Sequence, residues 1–307
     1  MSNRILGSGN HRYAWTAWGK VAEGVQLGYT HGVCEDAQGR IFVHNMSEHA
    51  VVIFDADGNF LDAWGKEFAQ GAHGLQYSLE DDGEFLYLAD IARHIVVKTT
   101  LSGEMLWTLG CPMESGVYGV PEEFVPTNVA IAPNGSIYVA DGYGKSYIHQ
   151  YTADAEYVRT WGGEGDAPGK MRCPHGIWVD TRGETPLVVV ADRANVRLQC
   201  FTLDGEHTGF VTDDLLHPCH FDQRESELLV PDLHGRVTIL DRDNRLVTHL
   251  GENPGVQDKE GYPNLPHDQR EPGKFISPHG AIWDRQGNIY VVEWVSDGRI
   301  TKLVRQS

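Results

Sequence analysis

Hydrophobic positions along this chain come in short runs of about four or five, and clusters of Asp, Asn and Gly cut each run off. Such runs predict β-strands joined by tight turns, as in "VVIFDADGNFLDAWGK" (51–66). No stretch keeps a 3.6-residue period long enough to predict a substantial helix.

One block recurs, of the form x-G-x-[IFL]-[YFV]-V-x-[DN]. Its six copies are "QGRIFVHN" ending at Asn45, "GEFLYLAD" at Asp90, "NGSIYVAD" at Asp141, "TPLVVVAD" at Asp192, "SELLVPD" at Asp232 and "QGNIYVVE" at Glu293. Before each copy lies an apolar strand that opens with His-Gly or a relative of it: His31, His73, Thr127, His175, Cys219–His220 and His279. Most copies are followed by two more strands, the last ending in "WG" or "LG". The unit is therefore four strands over roughly 40–60 residues, the size of a propeller blade.

A blade cannot bury both of its faces alone, so the units must stack around an axis. The expectation is an all-β, six-bladed β-propeller forming one domain over residues 1–307. The segment "YAWTAWGK" (13–20) reads as an outer strand with no partners before it, and the last unit stops after its third strand at "GRITKLVRQS". The N-terminal strand is thus expected to complete the last blade, closing the ring and removing exposed sheet edges. The Gly- and Pro-rich segments 111–125 and 252–274 are expected to be loops between blades.

Hydrophobic residues make up 41% of the 307, enough for a real core, and the formal charge is −18. A surface of that sign repels phosphate backbones and anionic lipid, so neither nucleic acid nor membrane is an expected partner. A small-molecule substrate is expected instead, on a monomer or weak homo-oligomer. The start, "MSNRILGSGNHRYAW", lacks the apolar core of a signal peptide. Five cysteines, odd in number and in no CxxC pair, read as reduced thiols of a cytoplasmic protein.

The histidines carry the candidate chemistry. In a propeller the first strand of every blade lines the central channel, so a residue at the start of that strand meets its copies around the axis. A preceding Pro sets an extended approach, and a following Gly lets backbones crowd. Imidazoles gathered in this way suit a transition metal, and three of them with an open fourth position make a catalytic site. The plainer alternative is a polar channel mouth in which each ring bonds backbone or water.

From about residue 71 onward the chain resembles peptidyl-α-hydroxyglycine α-amidating lyase, the lyase domain of peptidylglycine α-amidating enzymes, within the wider NHL-repeat propellers. The stretches that carry the resemblance are "HGLQYSLEDDGEFLYLADIARH", "VPTNVAIAPNGSIYVADGYGKSYIHQY", "CPHGIWVD", "VADRANVRLQCF" and "SPHGAIWD". It implies zinc, or another divalent transition metal, on His73, His175 and His279. It also implies Tyr143 as a catalytic base and Arg193 as a catalytic and carboxylate-binding residue. The implied reaction removes a proton from a carbinol and breaks its C–N bond. Tyr143 as a rim packing ring, and Arg193 paired with Asp192 or Asp141, are the structural alternatives. His94 matches a family position and is read as support for a strand. Asp90, Asp141 and Asp192 are read as ties for blade turns.

Several residues depart from the family pattern. Asn45, in "HNMSEH", occupies the substrate-binding position where the family carries an arginine. Gly280 replaces the aspartate of a structural calcium site, so calcium is not expected. Gly144 replaces a disulfide cysteine beside the tyrosine. His31 is an added ring histidine, with His44 and His49 near it in sequence, and "LHPCHFD" adds His217, Cys219 and His220. His31 and His220 are therefore candidate further ligands or proton-transfer groups. The expected function is a metal-dependent lyase acting on a small polar α-hydroxy or hemiaminal substrate. Its rivals are a metal-dependent lactonase or esterase, which on this fold uses calcium held by Glu, Asn and Asp, and a non-enzymatic NHL protein-binding scaffold.

Overall fold

The computed structural model describes residues 4–306; residues 1–3 and 307, which the expected 1–307 domain includes, lie outside them. Six antiparallel sheets form the ring, each running from an innermost to an outermost strand in chain order except at the seam. Blade 1 is Thr30–Glu35, Ile41–Asn45, Val51–Phe54 and Phe60–Trp64. Blade 2 is Ala72–Glu80, Gly83–Asp90, Ile95–Thr100 and Met105–Leu109. Blade 3 is Asn128–Ile131, Ile137–Ala140, Tyr147–Tyr151 and Tyr157–Gly162. Blade 4 is Pro174–Asp180, Leu187–Asp192, Arg197–Phe201 and His207–Val211. Blade 5 is Asp222–Arg224, Glu227–Asp232, Arg236–Leu240 and Leu246–Leu250. Blade 6 is Pro278–Trp283, Ile289–Glu293 and Arg299–Arg305, completed by Tyr13–Ala17 from the other end of the chain.

The N-terminal strand completes the last blade as expected, with Tyr13 opposite Arg305, Trp15 opposite Leu303 and Ala17 opposite Thr301. The structure adds a short fifth strand, Ile5–Leu6, outside it, paired through Ile5–Ala14 and Leu6–Tyr13. Gly7, at φ 76°, lets the chain double back there.

Period-two alternation in the second strands explains the stacking, because neighbouring residues serve opposite faces. Phe42 packs with Leu75, Leu86 and Leu88 of blade 2, whereas Ile41 and Val43 pack with Tyr290 and Val292 of blade 6. Val188 and Val190 face Tyr138 and Ala140 of blade 3, while Val189 and Ala191 face Leu228 and Val230 of blade 5. The core is thus a set of clusters, one between each pair of blades, rather than a single centre. Loop 252–274 has a small core of its own, where Val256 and Leu265 pack on Ile276 and Val295.

In five of the six blades the Asn, Asp or Glu at the end of the second strand ties down the loop entering its own blade. In blade 2 Asp90 instead accepts the N–H groups of Ala92 (3.0 Å) and Arg93 (2.9 Å) that follow it. Asn45 accepts the Gly28 N–H (2.8 Å) and Asp141 that of Val125 (2.7 Å). Asp192 accepts Arg172 N–H (2.7 Å), Asp232 accepts His217 N–H (2.7 Å), and Glu293 accepts Ile276 N–H (2.6 Å). These bonds satisfy backbone donors inside a buried ring and aim each loop into the first strand.

Candidate metal centre at the channel mouth

His31, His73, His175 and His279 stand at the starts of the innermost strands of blades 1, 2, 4 and 6, and all are buried. Their ring centroids form a rhombus. His73 and His279 lie 5.0 Å apart on the short diagonal, His31 is 4.7 and 4.5 Å from them, and His175 is 4.7 Å from each. The glycine after each histidine makes this closeness feasible. A Cβ on Gly176 would lie 2.6 Å from the Cys219 carbonyl oxygen, and one on Gly280 would lie 2.7 Å from that of His31.

Backbone carbonyls set the tautomers. Nδ1 of His73 bonds the Thr127 oxygen (2.6 Å), that of His175 the Cys219 oxygen (2.9 Å), and that of His279 the His31 oxygen (3.0 Å). Each acceptor is the residue of the same register in the next blade. His31 differs, bonding Tyr29 O (3.1 Å) of its own strand approach. A carbonyl only accepts, so all four Nδ1 atoms carry the hydrogen and all four Nε2 atoms are bare when the rings are neutral. They are held neutral: burial drives His73 down to about 3 and pulls His31, His175 and His279 well below the usual range. Nδ1–H bonded to carbonyl with Nε2 free is the orientation of a metal-ligating histidine.

Tyr143 reaches into this ring from the third blade. The histidine-register residue there, Thr127, is spent on backbone, bonding the carbonyls of Ala140 (3.1 Å) and Pro174 (2.9 Å). The phenol oxygen lies 3.2 Å from Nε2 of His73 and 3.0 Å from Nε2 of His175. One phenolic hydrogen cannot satisfy both lone pairs, so the donor set calls for a cation or a Lewis acid. That is how the residues fit a divalent transition metal. Burial raises the Tyr143 pKa, and the Arg193 guanidinium opposes the rise.

Arg193 sends Nη2 to within 3.2 Å of the Cys173 sulfur, while its Nη1 lies 3.9 Å from the Cys219 sulfur. Donor atoms within 4.8 Å of one another define two candidate triads, His31–His73–His279 and His175–Cys219–His279, which share His279. The resemblance's triad of His73, His175 and His279 spans both, with the Tyr143 oxygen wedged between two of its members.

Sequence reading missed the support beneath Tyr143. Asp141, two residues earlier, accepts the Tyr118 hydroxyl (2.6 Å), and the Tyr118 oxygen is 2.7 Å from Nε2 of buried His149, whose Nδ1 bonds Thr160 (2.7 Å). Asp141 also accepts Lys145 N–H (2.7 Å), so the whole turn carrying Tyr143 is fixed from below. The signal was faint, because Tyr118 lies in loop 111–125 outside the repeat. Also unanticipated is the stack of His217 on His234, with centroids 4.5 Å apart.

Asn45 lies outside the histidine ring and ties down its own turn. Its amide oxygen holds Gly28 N–H, and its two N–H groups go to the carbonyls of His49 (2.8 Å) and Ala50 (3.3 Å). His94 supports a loop through Phe124 O (2.7 Å). His44 is buried on blade 1, edge-on to Phe68, and is not in either donor triad. His220 points farther down the channel. It lines a cavity of about 270 Å³ with Cys34, Glu35, Trp178, Asp222 and Trp283, and its Nδ1 has no partner. Burial pushes the Asp222 carboxyl up to about 7 there.

All five cysteines are free thiols, and among the described residues no helix is long and apolar enough to cross a membrane. No protein-family model matches the chain. Relatives are found among characterised proteins. Peptidyl-alpha-hydroxyglycine alpha-amidating lyase 1 of Drosophila melanogaster is 29% identical over 286 residues, covering 82% of this chain and 48% of that one. Peptidylglycine alpha-amidating monooxygenase of Rattus norvegicus is 32% identical over 169 residues, 52% of this chain and 16% of that one. NHL repeat-containing protein 3 of Homo sapiens is 29% identical over 167 residues, 52% of this chain and 47% of that one. The chain thus spans half or less of the length of each. Among solved structures, a gluconolactonase from Xanthomonas campestris superposes with a TM-score of 0.65 at 14% identity, covering 100% of this chain and 96% of that one. A streptogramin B lyase superposes at 0.64 with 12% identity, over 96% and 98%. The resemblance to amidating lyases and NHL-repeat proteins therefore stands, and so does the six-bladed propeller.

Proposed function

We propose that the chain is a metal-dependent lyase that breaks the C–N bond of a small polar hemiaminal or related α-hydroxy substrate at the channel mouth. Zinc, or another divalent transition metal, is held by His73, His175 and His279. The observation that carries this reading is the convergence of bare Nε2 lone pairs on one phenol oxygen, with a guanidinium beside it. Names of relatives that include an amidating lyase support the reaction class.

When bound, the metal supplies Lewis acidity that lowers the pKa of a hydroxyl and favours a developing carbonyl. Tyr143 stands within reach of that hydroxyl and takes its proton in the phenolate form; the C–N bond then breaks and the proton returns to the departing nitrogen. For an α-hydroxyglycine-like substrate the products are an amide and glyoxylate. Arg193 offers two N–H donors to a carboxylate. Because Asn45 is spent on its own turn, Arg193 acts without a second clamp, which suits substrates smaller than a peptide.

The histidine-register residues include no carboxylate, which disfavours a calcium-dependent lactonase. Free thiols and the −18 charge support a cytoplasmic enzyme acting on a small molecule, not on nucleic acid or at a membrane. The test is elemental analysis of untagged wild type and His175→Ala, paired with glyoxylate release from α-hydroxyglycine derivatives. About one transition metal per chain, lost together with glyoxylate release in the variant, supports the reading. No metal after reconstitution, or full activity without it, overturns it.

A further inference from the structure

Cys219 stands at the histidine register of the fifth blade. The dipeptides Pro126-Thr127, Pro174-His175, Pro218-Cys219 and Pro278-His279 align in the sequence, and the backbone repeats the alignment. His73 donates Nδ1–H to the carbonyl of Thr127, His279 to that of His31, and His175 to that of Cys219. Each bond joins one register residue to the next around the ring. The neighbouring His220 occupies the glycine register: the Cβ that Gly176 lacks would meet the Cys219 carbonyl and the His220 Cα. Sixfold pseudosymmetry therefore turns the Cys219 side chain, not that of His220, toward the point where the imidazoles converge.

The distances agree. The Cys219 sulfur and nitrogens of His175 and His279 lie within 4.8 Å of one another, and all three residues are buried. Around a tetrahedral zinc, with bonds of about 2.3 Å to sulfur and 2.0–2.1 Å to nitrogen, these donors would be about 3.3–3.6 Å apart. Side-chain shifts of about 1 Å bring them there. The sulfur is held loosely: its thiol donates a long hydrogen bond to the His217 carbonyl at 3.5 Å and accepts another from Arg193 Nη1 at 3.9 Å. The Arg193 guanidinium stands 3.9 Å away, on the side where a thiolate's negative charge would be balanced.

We propose that Cys219 is a thiolate ligand of the metal, bound on the face it shares with His175 and His279. This rests on the metal-centre reading above and changes its chemistry. A thiolate removes one unit of positive charge from an all-imidazole site, so the metal becomes a milder Lewis acid. It also makes the site softer, favouring zinc, cobalt or iron over calcium or magnesium. Binding must release the thiol proton, whereas the imidazole Nε2 atoms arrive already bare. His31, on the opposite apex of the rhombus, is then left as a base beside His73.

The test is the absorption spectrum of chelator-stripped protein reconstituted with Co(II), which needs no substrate. A near-ultraviolet thiolate-to-cobalt charge-transfer band in wild type, lost in Cys219→Ser and retained in Cys173→Ser, is the expected result. Cys219→Ser should also weaken zinc binding about tenfold or more. Cobalt bound with visible ligand-field bands but no thiolate band overturns this inference and leaves the histidine site standing, as does a band that survives in Cys219→Ser. No cobalt or zinc bound to wild type overturns the metal centre itself. If Cys219→Ser does not fold, the test still holds: no thiolate band in wild type, or a band lost in Cys173→Ser, overturns the inference.

Discussion

Arg193 lies over the ring of Tyr143. Its guanidinium carbon is 5.4 Å from the ring centroid, and Nη2 donates to the phenol oxygen across 3.4 Å. A cation beside a phenol favours the phenolate, and in the proposed reaction the same cation would meet an anionic substrate, so that one side chain would link proton transfer to substrate charge. Tyr143 keeps 41% of its surface exposed, so that substrate can reach it without unfolding the rim.

Tyr143→Phe should keep its metal and lose about 10²–10⁴-fold in kcat, the range of a general base. Elemental analysis beside steady-state kinetics checks this. Unchanged kcat with intact metal would remove Tyr143 from the chemistry.

Arg193→Ala should lower kcat/KM for carboxylate-bearing substrates by about 10–150-fold, the equivalent of 1.5–3 kcal/mol for a hydrogen bond to a charged group. Substrates with the carboxylate amidated should lose far less. Comparing the two substrate series separates binding from a general loss of structure.

Tyr118→Phe breaks the bond that joins Asp141 to His149 beneath the Tyr143 turn. The expected result is a lower kcat with metal content and KM nearly unchanged, and a shifted pH–rate profile. A loss of thermal stability without those kinetic changes would make the network purely structural.

Acid should destabilise the ring through histidines buried in neutral form. Burial lowers His149 from 6.5 to about 3. Below pH 6.5 the unfolded chain gains a proton that the folded chain refuses, so stability is full above 6.5 and falls as pH drops toward 3. The slope is about 1.4 kcal/mol per pH unit per such histidine. Denaturant melts at pH 7, 6 and 5 should show it, and His149→Gln should make the slope shallower.

Gly176→Ala would force a methyl group against the Cys219 carbonyl of the next blade. Overpacking of this kind typically costs about 1–3 kcal/mol, and here it also spreads two register residues. Thermal melts and zinc affinity measured together should both decline. Normal zinc affinity in a destabilised variant would separate ring closure from ligand geometry.

Much of this was legible because the repeat carries its own register. Asp141, Asp192 and Asp232 end strands whose alternation feeds opposite faces, and a recurring acid at that place marks a loop tie before any coordinates exist. The histidines at 73, 175 and 279 could be grouped for the same reason. "PCHFD" was ambiguous because His220 matches the ring histidine in chemistry, whereas Cys219 matches it in position; only the bond from His175 to the Cys219 carbonyl decides. Asn45 is placed by the resemblance at a substrate-binding position, and nothing in the sequence signalled that its amide also ties Gly28, His49 and Ala50 into one turn. Tyr118 reaches Asp141 from a loop without periodicity, where no pattern could register it.

The seam between blades 1 and 6 gives the proposed metal site a second meaning. His31 and His279 touch across it at 4.5 Å, although nearly the whole chain lies between them, and the strand pairing Tyr13 with Arg305 holds it shut. A contact between residues so far apart in sequence is the kind that forms late, because loop-closure entropy must be overcome before it contributes. A nascent or partly melted ring can hold individual blades, but it cannot bring together imidazoles from blades 1, 2, 4 and 6. Uptake of the proposed metal would thus be conditional on topological completion, the ion acting as a rivet set only after the last plate is in place.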